Sequence, residues 1–195
     1  MHIYDVVSKD YPLQETYIPK TLIYDKKFKI WLCRNVLRAF YHMNRCMKKD
    51  GIDELVLVSG YRSYDYQKGL YEKKVNKMIE RGLTLDQAKL EAATIVAPPG
   101  CSEHQTGLAI DVTAYAMKDF EDPLCEEFEN TLQSKWMLSN GYHFGFILRY
   151  PKDKIMLTGI TYEPWHYRYV GKENARKIHE LNLCLEEYVL LKTFK

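Results

Sequence analysis

The chain of 195 residues is long enough to form one domain with a hydrophobic core. Its 28 basic and 26 acidic side chains leave a formal net charge of +2, too even a balance to indicate a nucleic-acid-binding surface. The five cysteines include no Cys-x-x-Cys pair, which argues against a disulfide framework, and no apolar run approaches the ~18 residues of a membrane span.

The N-terminal segment is predicted to form an extended arm rather than part of the core. Prolines at positions 12 and 19 and weak periodicity indicate that residues 1–25 form an extended arm packed on a single domain, which spans residues 1–195. The first ten residues lack the basic and apolar regions of an export signal. We therefore expect either a protein that works inside the cell or one whose export segment lies outside this sequence.

Helices and one strand are predicted next. Apolar residues recur at spacings of three and four over residues 26–49, which predicts an amphipathic helix. Residues 54–59 are mostly aliphatic and predict a buried strand. Ser63 is a candidate N-cap for a helix that reaches about residue 81, and Thr84 opens a capping box for a helix that ends before residue 98.

The second half of the chain predicts short strands between helices. Residues 107–113 predict a strand with Leu108 and Ile110 on one face and Asp111 on the other. The remaining predicted elements are a helix from Asp122 to Asn140, a strand over 144–150 with a hairpin partner at 155–157, a strand over 166–170, and helices over 173–182 and 185–191. Together these elements predict an α+β domain around an antiparallel sheet.

Three residues near strand ends are candidate zinc ligands. Catalytic zinc usually takes three protein ligands from His, Asp, Glu or Cys, and His104, Asp111 and His166 supply such a set. Both histidines lie in runs of Gly, Pro, Trp and acidic residues at strand boundaries. Asp111 is explained equally well as a strand-end carboxylate that caps a backbone turn. Cys101 lies three residues before His104 but is better explained by packing than as a fourth ligand.

Glu163 and Arg62 are the candidate catalytic groups. Glu163 lies three residues before His166, and the intervening proline disfavours a helix, so an extended turn presents the pair. A carboxylate there can move a proton between an attacking water and a leaving amine, or it can hold a ligand histidine. Arg62 offers planar donors for a substrate carboxylate, an oxyanion or a salt bridge. Tyr64 and Trp165 are candidate groove walls, although such aromatics more often belong to the core.

Four ordered motifs resemble the VanY-type D-alanyl-D-alanine carboxypeptidases. They are residues 59–63 (SGYRS) with Gln67, 99–111 (PGCSEHQTGLAID), 145–151 (GFILRYP) and 163–171 (EPWHYRYVG). The resemblance extends over almost the whole chain. This family belongs to the lysostaphin, D-Ala-D-Ala peptidase and hedgehog group of zinc metallopeptidases. The resemblance therefore implies a small α+β fold with a central antiparallel sheet flanked by helices.

The same resemblance assigns roles to individual residues. It implies one Zn²⁺ per chain held by His104, Asp111 and His166, with Glu163 as the catalytic base. It also implies that Arg62 stabilises the oxyanion. The implied contacts to the peptide terminus are Gln67 and Ser102, to which Tyr64 and Trp165 are added as candidate groove walls.

The first functional prediction is a zinc-dependent D,D-carboxypeptidase that removes the terminal D-alanine from peptidoglycan stem peptides or D-Ala-D-Ala-ended precursors, an activity tied to the cell wall and glycopeptide resistance. The alternatives are an L,D-carboxypeptidase on tetrapeptides and a bifunctional D,D-dipeptidase and carboxypeptidase. A non-catalytic, zinc-stabilised peptidoglycan-binding module is a different class, and the presence of both Glu163 and Arg62 argues against it. The family implies the bacterial cell envelope, whereas the missing export signal favours the cytoplasm.

Overall fold

A four-stranded antiparallel sheet with helices around it forms the centre of the protein. The computed structural model describes residues 2–193; Met1, Phe194 and Lys195, which the predicted domain includes, lie outside the described residues. The helices are α1 (Arg34–Lys49), α2 (Tyr64–Ile79), α3 (Leu85–Ala93), α4 (Leu132–Asn140), α5 (Ile155–Thr158), α6 (Lys172–Glu180) and α7 (Leu185–Thr193). The strands are β1 (Leu22–Asp25), β2 (Ile30–Cys33), β3 (Leu55–Ser59), β4 (Ala109–Ala114), β5 (Phe146–Leu148) and β6 (His166–Tyr169). The predicted α+β class with a small antiparallel sheet is confirmed.

The register of the main sheet brings distant residues together. Its strand order is β3-β4-β6-β5, and every neighbouring pair is antiparallel. Strand β4 lies inside the sheet, and all six of its residues are buried. Within it, Asp111 pairs with Ser59 of β3 on one side and with His166 of β6 on the other. The register therefore brings the predicted ligands Asp111 and His166 side by side.

Helix α1 packs the main hydrophobic core against the sheet. Its residues Val36, Phe40, Met43 and Met47 are fully buried and recur at the helical spacing, as the sequence predicts. Burying each of these side chains contributes roughly 1.5–3 kcal/mol relative to leaving it exposed. This apolar face therefore anchors the helix and supports the sheet that carries the site.

The predicted helix over 26–49 is wrong before residue 34. Strands β1 and β2 form an antiparallel hairpin there. The Asp25 carboxylate accepts a hydrogen bond from the backbone N–H of Phe28 at 2.8 Å, and Lys29 adopts a positive φ of 58°, so local contacts build the turn. The aromatic and β-branched residues of β2 then favour a strand.

Two further predictions are wrong in the second half of the chain. The helix predicted from Asp122 begins only at Leu132, because Thr131 is extended and its hydroxyl caps the N–H of Ser134 at 3.1 Å. The predicted hairpin partner over 155–157 belongs to helix α5, and β5 pairs with β6 instead. Met156 is 96% exposed, so this apolar run stays outside the sheet.

The N-terminal segment lies on the domain and becomes regular only at β1. The backbone N–H of Leu13 donates to the carbonyl oxygen of Gly100 at 2.8 Å. Nη2 of Arg168 donates to the carbonyl oxygens of Ile3 and Asp5, each at 3.0 Å. Across residues 2–193, no helix is long and apolar enough to cross a membrane.

Candidate active site

The three predicted zinc ligands meet where strand β6 begins, against strand β4. Asp111 lies in β4, His166 opens β6 directly opposite, and His104 lies in the 3₁₀ turn Glu103–Thr106 that precedes β4. Each residue offers one ligand atom, and these atoms all lie within 4.8 Å of one another. All three side chains are buried. The fold thus assembles the residue set that the sequence proposed as a metal centre.

His104 presents its Nε2 atom to Asp111. Its Nδ1 atom lies 2.6 Å from the carbonyl oxygen of Gly60, which can only accept a hydrogen bond, so Nδ1 carries the proton. Nε2 lies 3.1 Å from Oδ2 of Asp111. Burial, reinforced by the charge of Arg62, lowers the pKa of His104 to about 4, which leaves the imidazole neutral at neutral pH. The neutral imidazole is the form that binds a metal.

His166 faces the other oxygen of the same carboxylate. Its Nδ1 atom lies 3.0 Å from Oδ1 of Asp111. Burial alone would lower the pKa of His166, but the neighbouring Asp111 and Glu103 carboxylates outweigh it and raise the pKa to about 9. A metal that binds Nδ1 therefore displaces a proton from this imidazole. Burial also opposes ionisation of Asp111, yet His104 and Arg62 hold its pKa well below the usual range. Asp111 is therefore a carboxylate with one oxygen toward each histidine.

These three residues fit one Zn²⁺ ion. A tetrahedral zinc with bonds of about 2.0–2.1 Å holds its ligand atoms roughly 3.3 Å apart. His104 Nε2 lies 3.1 Å from Oδ2 of Asp111 and His166 Nδ1 lies 3.0 Å from Oδ1, both close to that value, and one ligand atom from each residue lies within 4.8 Å of the others. Moreover, the lone pair of His104 Nε2 points at a carboxylate oxygen, and two acceptors so close repel each other unless a cation lies between them. The donor set and its spacing both suit zinc.

Glu163 stands beside the cluster with a carboxylate suited to proton transfer. Its backbone N–H donates to the carbonyl oxygen of Tyr150, and its own carbonyl accepts from the N–H of His166, so a turn holds it in place. Its Oε2 atom lies 3.5 Å from Nδ1 of His166. Burial raises the pKa of Glu163 to about 7, against the opposing effect of His166. A carboxylate with such a pKa can exchange a proton near neutral pH.

Arg62 reaches the cluster from the end of β3. Its Nη2 donates to Oδ2 of Asp111 at 2.7 Å, and its Nε donates to the hydroxyl of Ser59 at 2.8 Å. Its backbone N–H also donates to the carbonyl oxygen of His104 at 3.2 Å. The guanidinium is therefore fixed beside the predicted metal position and also lines the open groove.

An open groove of about 750 Å³ leads to the cluster. Gln67, Ser102 and Trp165 line it, so three of the four predicted substrate contacts lie at this groove. Gln67 is fully buried, with its amide nitrogen bonded to the carbonyl oxygen of Ala97 at 2.8 Å and its amide oxygen without a partner among the described residues. Tyr64 packs beside Gly100, away from the lining formed by the described residues. Their roles in substrate binding stay predictions.

Sequence reasoning missed the charged residues behind the site. Glu103, Arg149 and Arg168 are all buried around His166, and the ring of Tyr150 packs against His166 with centroids 4.9 Å apart. A signal was available in the sequence. Arg149 and Arg168 interrupt strand segments that are otherwise apolar or aromatic, and a charge in such a segment requires a buried partner.

Cys101 lies outside the metal cluster. In the part of the chain that the structure describes, the group able to hold a metal is His104, Asp111 and His166. The thiol of Cys101 instead lies 3.9 Å from the carbonyl oxygen of Pro99, and burial raises its pKa. This agrees with the prediction that Cys101 is a packing residue.

A buried His-Asp-His cluster with an adjacent carboxylate and an open groove defines the class of a zinc metallopeptidase. Comparison with known sequences gives the family: the VanY, D-alanyl-D-alanine carboxypeptidase, family matches residues 29–172. This chain belongs to that family. It is 41% identical to the putative carboxypeptidase YodJ of Bacillus subtilis over 96% of this chain and 67% of the relative. It is 45% identical to a D-alanyl-D-alanine carboxypeptidase of Enterococcus faecalis over 73% of this chain, which spans about half of that relative (49%).

Solved structures of similar proteins share the fold. VanYB in complex with D-alanine-D-alanine superposes with a TM-score of 0.82 at 36% identity, over 95% of this chain and 96% of that chain. A VanY variant solved with Zn(II) gives a TM-score of 0.80 at 36% identity, over 95% of this chain and 98% of that chain. The LD-carboxypeptidase LdcB gives a TM-score of 0.82 at 39% identity, over 96% of this chain and 85% of that chain. The predicted family and its hedgehog and D-Ala-D-Ala peptidase-like fold are confirmed.

Proposed function

We propose that this protein is a zinc-dependent D,D-carboxypeptidase that removes the terminal D-alanine from peptidoglycan stem peptides or D-Ala-D-Ala-ended precursors. The observation that carries the proposal is the cross-strand pair of Asp111 and His166, with His104 and Glu163 beside it. Membership of the VanY family and the zinc-containing relative support the same chemistry.

Each residue of the site has a separate role in this proposal. His104 Nε2, His166 Nδ1 and a carboxylate oxygen of Asp111 would hold the metal. A bound Zn²⁺ would polarise the scissile carbonyl and make water a stronger nucleophile. Glu163, with its pKa raised by burial, takes the proton of the attacking water and returns it to the leaving amine. Arg62 lies where its remaining donors can stabilise the charge that develops on the carbonyl oxygen.

The groove favours a peptide longer than a dipeptide. Its volume of about 750 Å³ lies in the upper part of the range for small-molecule sites, which is roughly 300–1,000 Å³. The groove is open and extends from the cluster along helix α2, where Lys73, Lys74 and Lys77 line it. We therefore propose that the rest of a stem peptide lies along this groove, with its D-alanine end at the cluster.

The second candidate function is an L,D-carboxypeptidase on tetrapeptides. It is favoured by the similarity to LdcB, whose TM-score of 0.82 equals that of VanYB. The two activities differ in the residue that precedes the terminal D-alanine.

Mass spectrometry of the products tests the proposal. The zinc-loaded protein is incubated separately with a D-Ala-D-Ala-ended pentapeptide, the tetrapeptide with one terminal D-alanine, and the free D-Ala-D-Ala dipeptide. We expect loss of one alanine from the pentapeptide. Cleavage of the tetrapeptide alone would assign the L,D activity, and cleavage of the dipeptide as well as the pentapeptide would assign a bifunctional enzyme. No cleavage of any of the three would refute the carboxypeptidase proposal.

A further inference from the structure

A buried cluster of charges lies directly behind His166. Glu103, Arg149 and Arg168 have side chains no more than 1% exposed. Oε1 of Glu103 lies 2.7 Å from Nε of Arg149 and 2.8 Å from Nη1 of Arg168, so one carboxylate oxygen forms an ion pair with both arginines. Buried charges of this kind are costly unless they are paired. Because Oε1 of Glu103 pairs with both arginines, its Oε2 atom is left free for another contact.

The other oxygen of Glu103 faces His166. Oε2 of Glu103 lies 3.9 Å from Nε2 of His166, about 1 Å beyond hydrogen-bond length. Both atoms are buried, and neither has a hydrogen-bond partner among the described residues. The opposite ring nitrogen, Nδ1, faces Asp111 and Glu163. Glu103 and the metal position therefore lie on opposite sides of the same imidazole ring.

We propose that Glu103 is a positioning residue that keeps the proton of His166 on Nε2 and thereby presents the Nδ1 lone pair to zinc. The inference rests on the proposed zinc site. A ligand histidine commonly donates its second N–H to a carboxylate or carbonyl, and loss of that partner typically weakens metal binding about 10- to 100-fold. The carbonyl oxygen of Gly60 accepts the Nδ1 proton of His104 at 2.6 Å. Oε2 of Glu103 lies 3.9 Å from Nε2 of His166, so Glu103 acts through the charge of its carboxylate rather than through a direct hydrogen bond.

The two ends of the chain hold Glu103 in place through the arginines. Arg149 makes two further hydrogen bonds, of 2.9 and 2.6 Å, to the carboxylate of Glu186 in helix α7. Arg168 donates to the carbonyl oxygens of Ile3 and Asp5 in the N-terminal segment. These contacts leave Glu103 little freedom to turn away from His166.

The substitution Glu103→Gln separates positioning from bulk stabilisation. A glutamine keeps the size of the side chain, but it has one oxygen and one NH₂ group in place of two acceptor oxygens. If its oxygen faces the arginines, its NH₂ group faces Nε2 of His166. That arrangement favours a proton on Nδ1, the atom that should bind zinc. The matched control is Glu186→Gln, which removes the same charge from Arg149 but does not contact His166.

Zinc affinity, measured by competition with a chromophoric chelator, is the deciding readout. For Glu103→Gln we expect a zinc dissociation constant about 10- to 100-fold higher than that of the parent. For Glu186→Gln we expect a value within twofold of the parent, even if its melting temperature falls. Equal zinc affinity in a folded Glu103→Gln variant, or an equal loss in both variants, would overturn the inference.

A measurement on the unmodified protein covers the case in which Glu103→Gln does not fold. Long-range ¹H–¹⁵N spectra of the zinc-loaded, ¹⁵N-histidine-labelled protein report which nitrogen of each ring carries a proton. We expect His166 to show a protonated Nε2 and a metal-bound Nδ1, and the reverse assignment would refute the positioning role. Failure of the unmodified protein to bind one zinc or to cleave any peptide would instead refute the proposed function, so the two failures are distinguishable.

Discussion

Substitution of Gly60 by alanine should damage the metal site through a backbone carbonyl. A Cβ atom at this position would lie 2.3 Å from Cγ2 of Ile30 and 2.6 Å from the carbonyl oxygen of Trp31. Normal contacts between such atoms are about 3.5–4.0 Å, so the chain must shift by roughly 1 Å. The Trp31 oxygen cannot yield easily, because it accepts the N–H of Tyr61 at 2.7 Å. Overpacking of this kind typically costs about 1–3 kcal/mol of stability.

The same shift would move the carbonyl oxygen that orients His104. That oxygen lies 2.6 Å from Nδ1 of His104. A displacement of roughly 1 Å would lengthen this contact beyond hydrogen-bond distance. We therefore expect Gly60→Ala to raise the zinc dissociation constant about 10-fold or more, in addition to lowering stability. The assays are chelator competition for zinc and urea unfolding of the zinc-loaded protein.

Gly69 provides the matched control for this substitution. It lies inside helix α2, and a Cβ there would meet no atom within 4 Å. Gly69→Ala should therefore stabilise the protein by about 0.5–1 kcal/mol and leave zinc affinity unchanged. If Gly60→Ala lost stability but kept the parental zinc affinity, the reasoning that links the Gly60 carbonyl to His104 would be refuted.

Three further predictions concern the site and the core. Glu163→Ala should retain one zinc per chain and lose peptide hydrolysis by about 10²–10⁴-fold, as measured by elemental analysis and product release; a parental rate would exclude Glu163 as the base. His166→Ala should lower bound zinc, and an unchanged stoichiometry would contradict the ligand set. Phe40→Ala should cost about 3–5 kcal/mol in urea unfolding, because Phe40 is fully buried, yet the folded fraction should keep the parental zinc affinity. A loss of zinc affinity in that folded variant would show that the core and the site are coupled.

Local sequence patterns predicted most elements that depend on neighbouring residues. The capping box of Thr84 and the N-cap of Ser63 are present as predicted, because each needs only a side chain and a backbone N–H three residues away. The hairpin of β1 and β2 was missed because Phe28 and Leu32 continue the apolar spacing of α1 upstream of the helix. Residues 155–157 were wrongly assigned to a strand, because a short apolar run does not distinguish a sheet from an exposed helical turn.

The sequence predicted the residues of the site but not the charged residues that lie behind them. His104, Asp111, His166 and Glu163 lie in motifs that local residue types make conspicuous. Glu103 stands in the same motif, yet only the structure shows that it faces His166 rather than the groove. Its partners are Arg149, which follows β5, and Arg168 of β6, and Arg149 in turn pairs with Glu186 of α7, so nothing in the adjacent sequence indicates the cluster.

By itself, the sequence determined which groups are available: two histidines and two carboxylates in short motifs whose turns and strand patterns follow from local chemistry. The tertiary structure decided which of their atoms meet. The antiparallel register of β4 and β6 places Asp111 opposite His166, and the packing of both chain ends onto Arg149 and Arg168 buries the charges behind them. Such contacts depend on strand pairing and on the removal of water from distant segments, and neither leaves a periodic signal in the sequence.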